Sequence, residues 1–89
     1  MQEIDKLMGR VGFKVVRSRE RESYNRRLPD TILIVTEMTG KQLPGSLDDQ
    51  ILVRTQNLDG KRMGEPVVWT SFRHFIITMG GLNGQGTAN

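Results

Sequence analysis

The chain has 89 residues, which is enough for one compact domain and too few for two domains with separate cores. It contains no cysteine and a single histidine, which excludes a disulfide framework, thiolate zinc ligation and a histidine cluster. No apolar stretch approaches the roughly 18–20 residues that cross a bilayer. We therefore expect a cytoplasmic protein that does not enter the membrane and needs no metal or other cofactor.

The formal charge of +3 is unevenly distributed along the chain. Residues 10–27 contain seven basic and two acidic side chains, a net charge of +5, whereas the rest of the chain sums to −2. Six of these seven basic residues are arginine, whose planar fork donates bidentate hydrogen bonds to phosphates or carboxylates. This composition favours recognition of an anionic partner.

The N-terminal third predicts a short helix followed by a hairpin. Ile4, Leu7 and Met8 have the i, i+3, i+4 spacing of one helical face, which indicates a helix over roughly residues 2–9. From Phe13 the spacing changes to two, so we interpret residues 13–22 as a strand that begins in the core and runs into solvent. Turn residues follow at 24–25 and 28–30, and the apolar run at 32–35 predicts a strand covered on both faces. The two strands would form a hairpin with a long, arginine-rich arm.

A second hairpin is predicted from the middle of the chain. Ile51, Leu52 and Val53 begin a third strand, and the Asp59-Gly60 pair is a strong signal for a tight hairpin turn. A fourth strand should return through residues 61–69. We expect a bulge or an edge near residues 64–66, because proline cannot donate to a ladder.

The C-terminal part predicts a helix and a tail. Thr70 or Ser71 can cap a helix that ends at Gly80-Gly81. Its apolar face has the i, i+3, i+4, i+7 spacing of Phe72, Phe75, Ile76 and Met79. The predicted fold is α+β: an N-terminal helix, an antiparallel four-stranded sheet made of two hairpins, a C-terminal helix and a flexible glycine-rich tail. We predict that residues 1–81 form the single domain and residues 82–89 the tail.

The arginine-rich segment is the best candidate for function. On a strand, alternate residues such as Arg17, Arg19 and Arg21 lie about 6.6–6.8 Å apart, close to the step of an extended single-stranded phosphate backbone. Tyr24 can stack on a base, and the second hairpin tip can extend the basic surface. We predict a non-enzymatic DNA- or RNA-binding protein that prefers single strands. The predicted nucleic-acid-binding residues are Arg10, Lys14, Arg17, Arg19, Arg21, Tyr24, Arg26, Arg27, Lys61 and Arg62.

Several other interpretations of the same residues are open. The arm can simply be solvated, with its arginines paired to Glu20 and Glu22, or it can be helical, with Glu22 and Arg26 as an i, i+4 pair. The main functional alternative is a small adaptor or inhibitor whose arginine arm recognises an acidic protein partner. A ribonuclease that uses Tyr24, Arg73 and His74 is a further alternative, although a histidine on a helix surface is the simpler interpretation.

The size of the chain also predicts self-association. A domain this small, without a disulfide or a metal, often buries too little apolar surface to be stable alone. The final helix has one more apolar side chain, Ile77, beyond its main stripe. We therefore expect a homodimer or a dimer of dimers, with this helix or a sheet edge in the interface.

Overall fold

Two helices cover one face of a five-stranded antiparallel sheet in the computed structural model, which describes residues 3–80. The elements in chain order are α1 (Glu3–Arg10), β1 (Lys14–Arg17), β2 (Glu22–Arg27), β3 (Thr31–Glu37), β4 (Ile51–Asn57), β5 (Val67–Trp69) and α2 (Phe72–Thr78). The strands form a meander in which each pairs with the next along the chain. The α+β class and the order of helices and sheet are therefore confirmed.

The number of strands was predicted wrongly, because the segment interpreted as one arm forms two strands. Residues 18–21 make a tight turn in which the Ser18 N–H donates to the Arg21 carbonyl at 2.8 Å and the Ser18 hydroxyl lies 3.2 Å from the same oxygen. Tyr24, which was placed in a turn, lies within β2, where it pairs with Val15 on one side and Val35 on the other. The local capacity of serine to close a turn outweighed the alternating pattern of the arginines.

The second hairpin reverses where predicted and has the predicted irregularity. Its turn has Leu58 and Asp59 at the centre and not Asp59 and Gly60, because the Gly60 N–H donates to the Asn57 carbonyl at 3.0 Å. Gly60 has a φ of +88°, and the Asn57 N–H donates to the Lys61 carbonyl at 2.8 Å across the turn. Gln56 bridges to Arg62, whereas Val53 pairs with Val67, so residues 54–55 lie opposite residues 63–66. The extra residues end the ladder near Gly64 and Pro66 and leave β5 as a short edge strand.

Both predicted helices are present, and α1 agrees with its prediction to within one residue. Ser71 is the N-cap of α2, and its hydroxyl accepts from the His74 N–H at 3.0 Å. Gly80 follows the helix with a φ of +92°. Neither helix within residues 3–80 is long and apolar enough to cross a membrane. The predicted tail, residues 82–89, lies outside the described part of the chain.

The core lies between the helices and one sheet face. Its buried side chains come from both helices, the α1–β1 connection and three strands: Leu7, Met8, Val11, Phe13, Tyr24, Val35, Ile51, Phe72, Phe75 and Ile76. The side chains that alternate with these along the strands point to the other face, which neither helix covers. We call these the covered face and the open face of the sheet.

Candidate functional site

Strand register places two rows of side chains that contain cations on the open face. Residues directly opposite each other in an antiparallel sheet share a face, so the register pairs can be followed from strand to strand. The first row contains Lys14, Asn25, Ile34 and Arg54. The second row contains Arg27, Ile32, Gln56 and Arg62. Each row therefore has one cation near the β1–β2 side of the sheet and another near the β4–β5 side.

The charges of the strands are divided unequally between the two faces. The two carboxylates within the strands are those of Glu22 and Glu37, which pair with Arg17 and Ile51 on the covered face. The open face carries Lys14, Arg27 and Arg54 from the strands and no strand carboxylate within residues 3–80. The open face is therefore a cationic surface, because its positive charges have no neighbouring negative strand residues.

Arg54 is the most constrained of these cations. It lies in the middle of β4 and is half-buried, with Ile34 as its register partner. Its guanidinium lies against Gly40, where a β-carbon would collide with Nη2. Gly40 is buried and has a φ of +81°, so a glycine is needed for both the backbone conformation and the close approach. The guanidinium is held in place by the loop that follows β3.

The loop after β3 also brings the β1–β2 turn close to Arg54. The carbonyl of Lys41, the residue after Gly40, accepts from the Glu22 N–H at 2.9 Å. Arg21 directly precedes Glu22, and Arg62 joins the sheet beside β4 through its bridge to Gln56. Burial lowers the pKa of Arg54 from its usual value, and the charges of Arg21 and Arg62 lower it further. The guanidinium of Arg54 therefore lies within the positive field of both Arg21 and Arg62.

Polar side chains occupy the space between the cations. The Ser23 hydroxyl donates to Asn25 Oδ1 at 2.6 Å, and Asn25 belongs to the first row. Thr36 is fully buried on the same face, and its hydroxyl has no hydrogen-bond partner in the described part of the chain. Val16 and Val68 are exposed at the two ends of this face. The middle of this face is therefore buried at Ser23, Ile34 and Thr36, and its accessible part consists of the cations, amide groups and a few apolar side chains around it.

The structure separates the residues of the predicted arginine row. Arg17 lies on the covered face and pairs with Glu22 at 2.7 Å, while Arg19 is exposed in the turn. The Arg26 side chain packs over Gly12, and Arg10 is exposed at the end of α1. The 6.6–6.8 Å spacing argument for Arg17, Arg19 and Arg21 is therefore wrong, because these residues do not share one strand. Of the predicted residues, the structure places Lys14, Arg21, Arg27 and Arg62 at or beside the open face, and Lys61 is exposed at the neighbouring hairpin turn.

Tyr24 is not available for stacking on a base. Its exposed fraction is 2%, its ring lies 6.0 Å from that of Phe72, and its hydroxyl donates to Asp5 Oδ1 at 2.6 Å. The other aromatic residues of the chain, Phe13, Trp69, Phe72 and Phe75, are buried in the core or packed against it. The open face therefore carries no aromatic ring.

A small cleft of about 320 Å³ opens on the covered side, between α1, the β1–β2 hairpin and the loop after β3. Its polar lining consists of Asp5, Tyr24, Arg17 and Glu22. These groups form two closed pairs, since Tyr24 donates to Asp5 and Arg17 donates to Glu22. The cleft offers little for a ligand to bind, because its charged groups already bind each other.

Each residue of the ribonuclease alternative makes other contacts in the structure. The His74 ring on α2 lies 5.4 Å from the ring of Trp69 at the end of β5, and Arg73 Nη2 lies 3.5 Å from Asp48 Oδ1. Tyr24 is in the core and bonded to Asp5. Nothing in this arrangement directs the three side chains toward a common substrate.

Sequence reasoning missed Arg54, the central cation of the open face. Arg54 lies outside the basic segment and follows three apolar residues that mark a strand. The available signal was the alternation within that strand, which places Leu52, Arg54 and Gln56 on one face. Comparisons of the chain with models of protein families, with curated proteins and with solved structures gave no match.

Proposed function

We propose that this chain is a non-enzymatic, cytoplasmic nucleic-acid-binding protein that contacts the phosphate backbone with the open face of its sheet. The main support is the separation of charge between the two sheet faces. Lys14, Arg27, Arg54 and Arg62 lie on the open face, while both strand carboxylates within residues 3–80 lie on the covered face. Such a surface attracts a polyanion through counterion release and needs no base recognition.

The absence of aromatic rings from this face determines how it can bind. Proteins that prefer single strands usually stack bases on aromatic side chains, which contribute about 1–3 kcal/mol per base. Here all the rings belong to the core side, so binding must depend on phosphate contacts. The predicted preference for single strands loses its structural support, and we propose binding with little dependence on sequence or strandedness.

Salt dependence of binding tests the proposed function. Fluorescence anisotropy with one labelled sequence, as a single strand and as a duplex, should give affinities that fall steeply as salt rises. With about three to five phosphates engaged, the slope of log K against log salt should be near −2 to −3.5 for the single strand and somewhat steeper for the duplex.

The competing interpretation, an acidic protein partner, predicts a different result. Arginine forks bind carboxylates as well as phosphates, so a poly-glutamate peptide of equal charge is the matched competitor. Equal competition by this peptide, or nucleic-acid binding that does not change with salt, would contradict the proposed function. A heparin column does not separate the two cases, because it reports only positive charge.

A further inference from the structure

We propose that Arg21, Arg54 and Arg62 form an anchor site that holds one phosphate group of a nucleic-acid backbone on the open face. This inference rests on the proposed function and identifies the part of the surface that determines its affinity. Arg54 is the central residue of the anchor site, because it lies between the β1–β2 turn and the second hairpin.

Arg54 is already positioned before any ligand binds. Its backbone is in the middle of β4, between Ile34 on β3 and the returning strand, and its guanidinium rests on buried Gly40. An arginine that is held by packing loses little rotamer freedom when it binds a phosphate. Its planar fork can then donate two hydrogen bonds to the same phosphate group.

The other two arginines reach the same region through backbone contacts. The N–H of Glu22, the residue after Arg21, donates to the Lys41 carbonyl at 2.9 Å. The loop that carries Gly40 therefore lies beside the β1–β2 turn. Arg62 pairs with Gln56, two residues along the strand from Arg54. Burial lowers the pKa of Arg54 most, and the positive charges of Arg21 and Arg62 lower it further, which agrees with this placement.

An anion between these groups would remove an unfavourable interaction. Arg54 is repelled by the like charges of Arg21 and Arg62, and none of the three forms an ion pair within residues 3–80. The carboxylate of Glu37, at the start of the same loop, instead accepts from Thr39 and from the Lys41 N–H. A phosphate can accept from several arginines at once, which a single carboxylate does less completely.

The rest of the open face indicates a polymer and not an isolated phosphate. Lys14 lies three strand spacings from Arg54 along the first row, and Arg27 lies three from Arg62 along the second, about 14 Å in each case. A nucleic-acid chain bound at the anchor site can place further phosphates beside Lys14 and Arg27, so we expect this second pair of cations to add affinity mainly for a polymer.

The test compares two arginine substitutions of equal charge on opposite sides of the molecule. Arg54→Gln removes the centre of the anchor site, and Arg73→Gln removes an exposed arginine from α2. At about 0.1 M salt we expect Arg54→Gln to weaken oligonucleotide binding at least about fivefold and to reduce the salt slope by nearly one unit. Arg73→Gln should change the affinity less than twofold.

Further variants separate a binding defect from a folding defect. Arg62→Gln changes an exposed side chain and should weaken binding as Arg54→Gln does, with an unchanged melting temperature. Arg54→Lys keeps the charge but not the fork, so it should keep the salt slope and still lose affinity. Circular dichroism melting of each variant identifies any loss of fold.

The possible outcomes distinguish the anchor site from the proposed function. A wild-type protein that binds no oligonucleotide would overturn both. Oligonucleotide binding that Arg54→Gln and Arg62→Gln reduce no more than Arg73→Gln does would overturn the anchor site alone. A mononucleotide that displaces the oligonucleotide at equal molar concentration would show a nucleotide site in its place, whereas displacement that requires a large molar excess supports the anchor site.

Discussion

Tyr24 shows at the scale of a single residue how burial and a hydrogen bond define a role. Its ring fills the core beside Phe72, while its hydroxyl reaches Asp5 at the edge of α1. Burial raises the pKa of Tyr24, and the hydrogen bond to the Asp5 carboxylate raises it further, because ionisation would create two adjacent negative charges. The most prominent aromatic residue of the basic segment thus ties α1 to the sheet.

The raised pKa of Tyr24 predicts that the folded chain loses stability at alkaline pH. Its pKa is higher in the folded than in the unfolded chain, so its contribution is complete below about pH 10 and falls as the pH rises further. Phenolate absorbance reports this residue alone, because the chain has one tyrosine. We expect the absorbance to rise together with the loss of circular dichroism. Ionisation of Tyr24 near pH 10 in a chain that is still folded would contradict the prediction.

Gly40 and Gly60 provide a matched pair for the close approach of Arg54. Both have positive φ, +81° and +88°, but a β-carbon at Gly60 has open space and one at Gly40 meets the Arg54 guanidinium. Gly60→Ala should cost about 1–2 kcal/mol of unfolding free energy for the left-handed backbone. Gly40→Ala should lower the free energy of unfolding, measured by urea denaturation, by more than Gly60→Ala does.

The additional loss of unfolding free energy in Gly40→Ala, compared with Gly60→Ala, should depend on Arg54. In the double variant with Arg54→Ala, the cost of Gly40→Ala should fall toward that of Gly60→Ala, because the colliding side chain is gone. Equal costs for the two glycines in the wild-type background would show that Arg54 moves freely, which would also weaken the anchor site.

At the scale of elements, the N-terminus of α2 depends on Ser71. The helix has no acidic residue in its first turn, so the Ser71 hydroxyl is the main side-chain acceptor for its free N–H groups. Ser71→Ala should lower the free energy of unfolding by about 1 kcal/mol. Thr70→Ala, one residue earlier and exposed, should change it by less than about 0.5 kcal/mol. A comparable loss at both positions would contradict the role of Ser71 as the cap.

At the scale of the whole molecule, we predict a homodimer in which α2 can form the interface. Phe72, Phe75 and Ile76 are buried within their own chain, whereas Ile77 has an exposed fraction of 36%. If α2 lies in a homodimer interface, Ile77→Asp should dissociate the dimer and leave the monomer folded, while Phe75→Asp should unfold it. The wild-type melting temperature should rise with protein concentration. Light scattering that gives the monomer mass of 10.1 kDa at high micromolar concentration would contradict the prediction.

The amino-acid sequence by itself determined the elements whose signals are local. The spacing of Ile4, Leu7 and Met8 predicted α1, the Asp59-Gly60 pair predicted the second hairpin, and Ser71 predicted the start of α2. Each of these signals involves residues a few positions apart, so no knowledge of distant contacts is needed. The clustering of six arginines within residues 10–27 was equally visible in the sequence, but which of them share a surface was not.

Only the tertiary structure decided which arginines share a surface. The turn at residues 18–21 moved Arg17 and Arg19 away from a common row, because the chain reversed direction there to pair Tyr24 with Val15. Arg54 joined the cationic face through strand register and the loop that carries Gly40, both of which depend on residues far apart in the chain. A sheet face is assembled from several strands, so its charge pattern follows from register and not from any single run of residues.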